Sequence, residues 1–244
     1  MGGRRHPALG GGWRRAGPLA CRVQPGSAVP FRRAGGHAVK FVLFVEGHTE
    51  RLAVPQLLKR WLDPRLSTPV GIKTSRFEGW ADYARDLRKK VELNLSGTSG
   101  QDVIAGIGLL DLYGPTIYPA DRTDASSRLA WAKEHFERQV GHPRFHQHFA
   151  VHELEAWILS EPAVLPRAVR EVLPATPPEK VNFNEPPAKL LDRLYTSKLS
   201  RRYKKTTDGT NLFRALDPAV AYAKCPNLKL LLDDMLQLAQ AAGL

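Results

Sequence analysis

Apolar residues follow two rhythms along this chain, one of strands and one of helices. Residues 39–45 read VKFVLFV, a nearly continuous β-branched and aromatic run of the kind found in a central strand covered on both faces. The segment that follows, EGHTERLAVPQLLKRWL, sets Leu52, Val54, Leu57, Leu58 and Leu62 at helical spacing, with Thr49 placed to cap the first turn. Pro55 falls in the first or second turn, where its missing donor is tolerated or produces a modest kink. A second strand is predicted over residues 70–77. A helix over 79–95 carries Trp80, Tyr83, Leu87, Val91 and Leu95 in one stripe. Residues 103–110 form the next apolar strand and end at Asp111; residues 126–140 read as a helix. A short strand over 149–152 runs straight into a helix over 153–159.

Strands that alternate with helices predict an α/β fold, a mostly parallel sheet flanked by helices on both faces, over residues 39–162. Beyond Pro162 the pattern turns helical and is punctuated by proline, with segments at 163–173, 187–195, 211–215 and 227–242. Residues 163–244 therefore read as a C-terminal helical lobe packed on the sheet or its neighbours.

Composition changes the picture at the N-terminus. Residues 1–38 contain seven arginines and no acid, are rich in Gly and Pro, and have no apolar periodicity, so they read as a disordered basic extension or a non-native start. Those seven charges leave +5 of the formal +12 for the rest of the chain, which is only mildly basic. Cys21 and Cys225 lie far apart and suggest neither a disulfide framework nor a cysteine knuckle. No window approaches the roughly 18 apolar residues needed to cross a bilayer, and the N-terminus lacks a secretory apolar core. The expected setting is the cytoplasm, with no membrane partner.

Candidate chemistry gathers after the strands. Glu46 follows the first, Asp111 ends the third, and Glu153 or Glu155 lies just past the fourth, where open α/β sheets place their sites. Carboxylate oxygens of this kind suit Mg²⁺ or Mn²⁺. Glu50 lies four residues after Glu46, and Gly47 between them permits a close approach of phosphate or metal to the backbone. In HELEAW the two acids are two apart, so on a regular helix one faces inward, unless the strand-to-helix transition lets both converge; Glu155 is favoured. Asp121 and Asp124 are further acids near Asp111, and His152 could donate to a phosphate or orient an acid. His142, His146 and His148 lack the spacing of a zinc site. Lys198, Arg201, Arg202, Lys204 and Lys205, with Tyr203 between them, form a basic run suited to phosphate backbones, or a solvated loop.

The segments FVLFVEGHTE, GLLDLYG and HELEAWILS resemble the Toprim-like superfamily, and the V-E-G-x-T-E pattern is similar to that of the overcoming-lysogenization-defect nucleases. HPRFHQHFAVHELEAWILSEP, NEPPAKLLDRL, the Tyr203–Lys204 pair before TTDG, and KCPNLKLLLDDM resemble the Toprim-like domain-of-unknown-function family 4276. The resemblance implies a parallel α/β fold with Glu46 as leading acid, Glu50 as supporting acid, and Asp111 and Glu155 from later motifs. It also implies proteins of mobile-element or phage-defence loci, sometimes near ATPases. Tyr113 stands where the Toprim D-x-D pattern has its second aspartate. The expectation is a Mg²⁺- or Mn²⁺-dependent phosphodiesterase acting on DNA or RNA. In that reading Glu46, Asp111 and Glu155, with Glu153 as a further candidate, hold metal, and Glu50 positions water. The alternative is a noncatalytic nucleotide- or phosphate-binding protein, or an adaptor for an ATPase partner.

Overall fold

The structure, a computed structural model, describes Gly2, residues 39–180 and residues 185–244. The expectations for residues 1–38 lie outside the described residues, as does the Asn184 that opens NEPPAKLLDRL. Strands β1 (Lys40–Val45), β2 (Gly71–Arg76), β3 (Val103–Asp111) and β4 (Phe145–Ala150) form one sheet in the order β2-β1-β3-β4. All three pairings are parallel.

The unbroken apolar run of β1 follows from its position. Phe41, Leu43 and Val45 point into one core layer, while Val42 and Phe44 point into the other. A strand buried on both faces cannot alternate polar with apolar. Helix α1 (His48–Leu62) covers the first face, through Val54, Leu57, Leu58 and Leu62. Helices α2 (Trp80–Leu95) and α3 (Ala125–Val140) cover the second, where Tyr83, Leu87, Val91 and Leu95 meet Phe136 and Val140. Each such fully buried side chain contributes about 1.5–3 kcal/mol.

The C-terminal half adds α4 (Glu155–Leu159), α5 (Arg167–Arg170), α6 (Pro187–Leu199), α7 (Thr210–Ala215), α8 (Pro218–Lys224) and α9 (Pro226–Ala241). This helical lobe shares the first core layer: Trp157, Leu190, Leu194, Phe213, Leu228 and Leu231 are buried together with α1 and the sheet. Among the described residues, no helix is long and apolar enough to cross a membrane.

Several local readings change. Gly47, not Thr49, is the N-cap of α1, and the Thr49 hydroxyl instead donates to the Lys205 carbonyl at 3.2 Å. Leu52 is 49% exposed and leaves the apolar stripe. Strand β4 begins at Phe145 rather than 149, because His146 and His148 can lie in a strand when Asp234 of α9 accepts from both, at 3.0 and 2.9 Å. The expected helix over 163–173 breaks into a 3-10 turn (Pro162–Val164) and α5, with Pro166 as the N-cap between them. Helix α8 has no counterpart in the sequence reading; Asp217 caps it and Pro218 opens it.

Candidate functional site

In the order β2-β1-β3-β4 the chain reverses direction across the sheet at β1, so the carboxyl ends of β1 and β3 flank the crevice where such sheets bind ligands. Glu46 leaves the end of β1 and is half-buried, and the Trp80 backbone N–H at the start of α2 donates to its carboxylate. Burial pushes Glu46 up from its ordinary value, with Glu50 adding repulsion and the Trp80 N–H and Lys205 opposing. Glu50, in the first turn of α1, folds back over Gly47; a Cβ on Gly47 would lie 2.3 Å from its Oε2. The close approach anticipated at Gly47 is thus made by the chain's own acid.

Asp111 ends β3. Its Oδ1 accepts from the Leu154 N–H at 3.0 Å, which ties the β3 terminus to the turn before α4. Burial holds Asp111 well above the usual carboxylate range, reinforced by Glu50, Glu155 and Glu153 and opposed by Lys205. Both acids of HELEAW turn toward this rim, because the chain has not yet become regular helix at Glu153. The Glu153 Oε2 accepts from the Ala188 N–H in the first turn of α6 at 2.8 Å. The Glu155 side chain is 2% exposed, and burial raises its pKa despite Lys205.

Lys205 brings the positive charge. Its Nζ lies 3.4 Å from Glu155 Oε2 and 3.5 Å from Glu153 Oε1. Burial works against the ammonium, but Glu155, Asp111, Glu153 and Glu50 together hold its pKa above the ordinary lysine value. A π-helical turn over Lys205–Gly209 aims it. The Lys204 carbonyl accepts from the N–H groups of Thr207, Asp208 and Gly209, and Asp208 accepts from the Lys204 N–H at 2.9 Å. Gly209 is required for packing, since a Cβ there would lie 2.7 Å from the buried Tyr203 hydroxyl oxygen.

The structure therefore brings together Glu46, Gly47, Glu50, Asp111, Glu153, Glu155 and Lys205. The basic run does not act as one patch: Lys205 turns into the acids, Arg201 grips Asp208 through two hydrogen bonds of 2.8 and 2.9 Å, and Arg202 pairs with Asp192 at 2.6 Å. Lys198 and Lys204 are exposed. His152 is buried beside Glu153, its pKa lowered by burial, and its carbonyl accepts from the Tyr113 N–H at 2.8 Å. Asp124 is the N-cap of α3 and Asp121 pairs with Arg122, so neither is among the groups coupled to Asp111.

Among the described residues, no group of three or more His, Cys, Asp or Glu side chains is already set to hold a metal ion. The donor chemistry nevertheless suits a hard divalent cation: the oxygens are all carboxylate, and the fold has drawn a cation among them.

The site and fold define an α/β protein with a carboxylate cluster at the carboxyl rim of a parallel sheet. A family model described as "Domain of unknown function (DUF4276)" matches residues 45–236, and the chain belongs to that family. Among solved structures, the C-terminal region of the Burkholderia pseudomallei OLD protein is similar at 15% identity and a TM-score of 0.42, covering 82% of this chain and 100% of that one. The C-terminal region of the Xanthomonas campestris pv. campestris OLD protein is similar at 20% identity and a TM-score of 0.40, covering 84% of this chain and 96% of that one. No curated protein matches the chain.

Proposed function

We propose that this protein is a divalent-metal-dependent phosphodiesterase acting on nucleic acid. The observation that carries the reading is the convergence of Glu46, Glu50, Asp111, Glu153 and Glu155 from the ends of three neighbouring parallel strands around one ammonium group. Carboxylates gathered at such cost in burial and mutual repulsion attract cations, and oxygen ligands of this kind suit Mg²⁺ or Mn²⁺. The similarity of V-E-G-H-T-E at residues 45–50 to the first motif of Toprim-type nucleases agrees with this chemistry.

Glu46, Asp111 and Glu155 would hold the ion, with Glu153 at the same rim. Bound there, the metal would polarise a phosphodiester and acidify an attacking water. The chain's own residues do the positioning. The Trp80 N–H fixes the Glu46 carboxylate, the Leu154 N–H fixes Asp111, and the Ala188 N–H fixes Glu153, which keeps the acids from splaying apart. Glu50, folded over Gly47, would orient water.

The test is a set of single-stranded, duplex and structured DNA and RNA substrates with Mg²⁺ or Mn²⁺, comparing the native protein with Glu46→Gln. Metal-stimulated cleavage that falls about 100-fold or more in a folded Glu46→Gln protein is the expected result. Absence of cleavage on every substrate rejects the enzyme.

One feature favours a second reading. With Arg201 and Arg202 held by Asp208 and Asp192, little of the basic run is free to track a polymer. A noncatalytic nucleotide or phosphate binder, or an adaptor for an ATPase partner, would show metal-dependent ligand binding without turnover.

A further inference from the structure

The acid cluster does not wait empty for a metal. We infer that Lys205 is the resident cation of this site, and that a divalent ion enters by exchange as the ammonium swings out to solvent. The inference rests on the metal-binding reading and adds how that site is regulated.

Two observations converge on it. First, the Lys205 Nζ lies 3.4 and 3.5 Å from one oxygen each of Glu155 and Glu153, the position of a shared counter-ion. Those carboxylates are 2% and 11% exposed, so without a cation two buried negative charges would face each other. Second, the lysine has a way out. Its side chain remains 46% exposed, whereas its backbone is pinned by the Thr49 hydroxyl on the Lys205 carbonyl and by the Lys204-centred turn. The ammonium can leave on its four-carbon stem while the turn stays folded.

Exchange has consequences that a purely structural ion pair lacks. Metal affinity is reduced by the work of displacing the lysine. Metal binding and exposure of Lys205 are also linked: each event promotes the other.

Two measurements on the full chain test this. In competitive acylation followed by mass spectrometry, saturating Mn²⁺ should raise the reactivity of Lys205 several-fold and leave the exposed Lys89 on α2 unchanged. In calorimetric titration with Mn²⁺, Lys205→Met should bind about ten-fold tighter than the native protein, or bind when the native protein does not. If the native protein binds Mn²⁺ while Lys205 reactivity stays constant and Lys205→Met binds no tighter, the exchange is wrong and the metal site stands. If neither protein binds Mn²⁺, the metal reading itself falls and takes the exchange with it. Should Lys205→Met fail to fold, the labelling of the native protein decides alone.

Discussion

At the scale of single residues, the acids of the rim are distinguished by what holds them. Residue spacing made Glu153 and Glu155 alternatives on a regular helix, with both converging only if the strand-to-helix transition allowed it. The chain becomes helical only at Glu155, so both reach the same crevice in different roles. Glu155 is buried against Lys205, whereas Glu153 is shared between Lys205 and the first turn of α6. Glu153→Gln keeps an oxygen for the Ala188 N–H and should leave stability within about 0.5 kcal/mol of native; Glu153→Ala strands that N–H and should cost about 1 kcal/mol. Chemical denaturation of the two variants checks the difference. Lys205 was read as one base among five because sequence shows charge but not direction. Its orientation depends on the turn through Asp208 and Gly209, which the letters KKTTDG do not reveal.

At the scale of elements, the helical lobe is fastened by buried polar groups that no periodicity marks. Glu179 accepts from the Asn227 and Leu228 backbone N–H groups and from the Asn227 side chain at the start of α9. Glu179→Ala should therefore cost about 1–3 kcal/mol in denaturant melts and leave metal affinity unchanged, since Glu179 stands outside the rim.

The second fastening joins α9 to the edge strand β4 through Asp234, His146 and His148. Burial lowers the pKa of His148 despite the neighbouring Asp234, with Lys133 and His146 adding to the fall. The Asp234 carboxyl, although burial opposes it, is held well below its usual range by hydrogen bonds from His146 and His148. A histidine whose folded pKa is depressed contributes stability above its unfolded value near 6.5 and loses it as pH falls below that value. A depressed aspartate contributes stability above its unfolded value near 3.9, lost at still lower pH. The His148 contribution to stability should thus decline from pH 7 to pH 5.5, so over that window the stability difference between the native protein and His148→Gln, which cannot titrate, should shift against the native protein in denaturant melts.

The strands and long helices were legible because burial on two faces or on one stripe imposes a visible period. The ends of β4, the broken helix at 162–170 and α8 were not, because tertiary partners and proline decide them.

At the scale of the whole molecule, the parallel order of the sheet delivers acids separated by up to 109 residues in sequence to one edge. The expectation rested on acids that follow apolar strands, and the parallel order puts those strand ends on one edge. The charge balance was less legible. A basic run looks like a polyanion surface until Arg201 and Arg202 are found spent on Asp208 and Asp192. If nucleic acid is held through the remaining exposed Lys198 and Lys204, replacing both with alanine should reduce the slope of log affinity against log salt by up to about 2. Fluorescence anisotropy at several salt concentrations reads this directly.

The central claim is that the carboxylates at the strand ends form a cation site. Anomalous diffraction from crystals of the native protein soaked in Mn²⁺ tests it most directly. A manganese peak is expected within ligand distance of Glu46 and Asp111, with the Lys205 ammonium displaced from Glu153 and Glu155. A saturating soak that leaves this rim without a peak, with Lys205 still seated on its two acids, would contradict it.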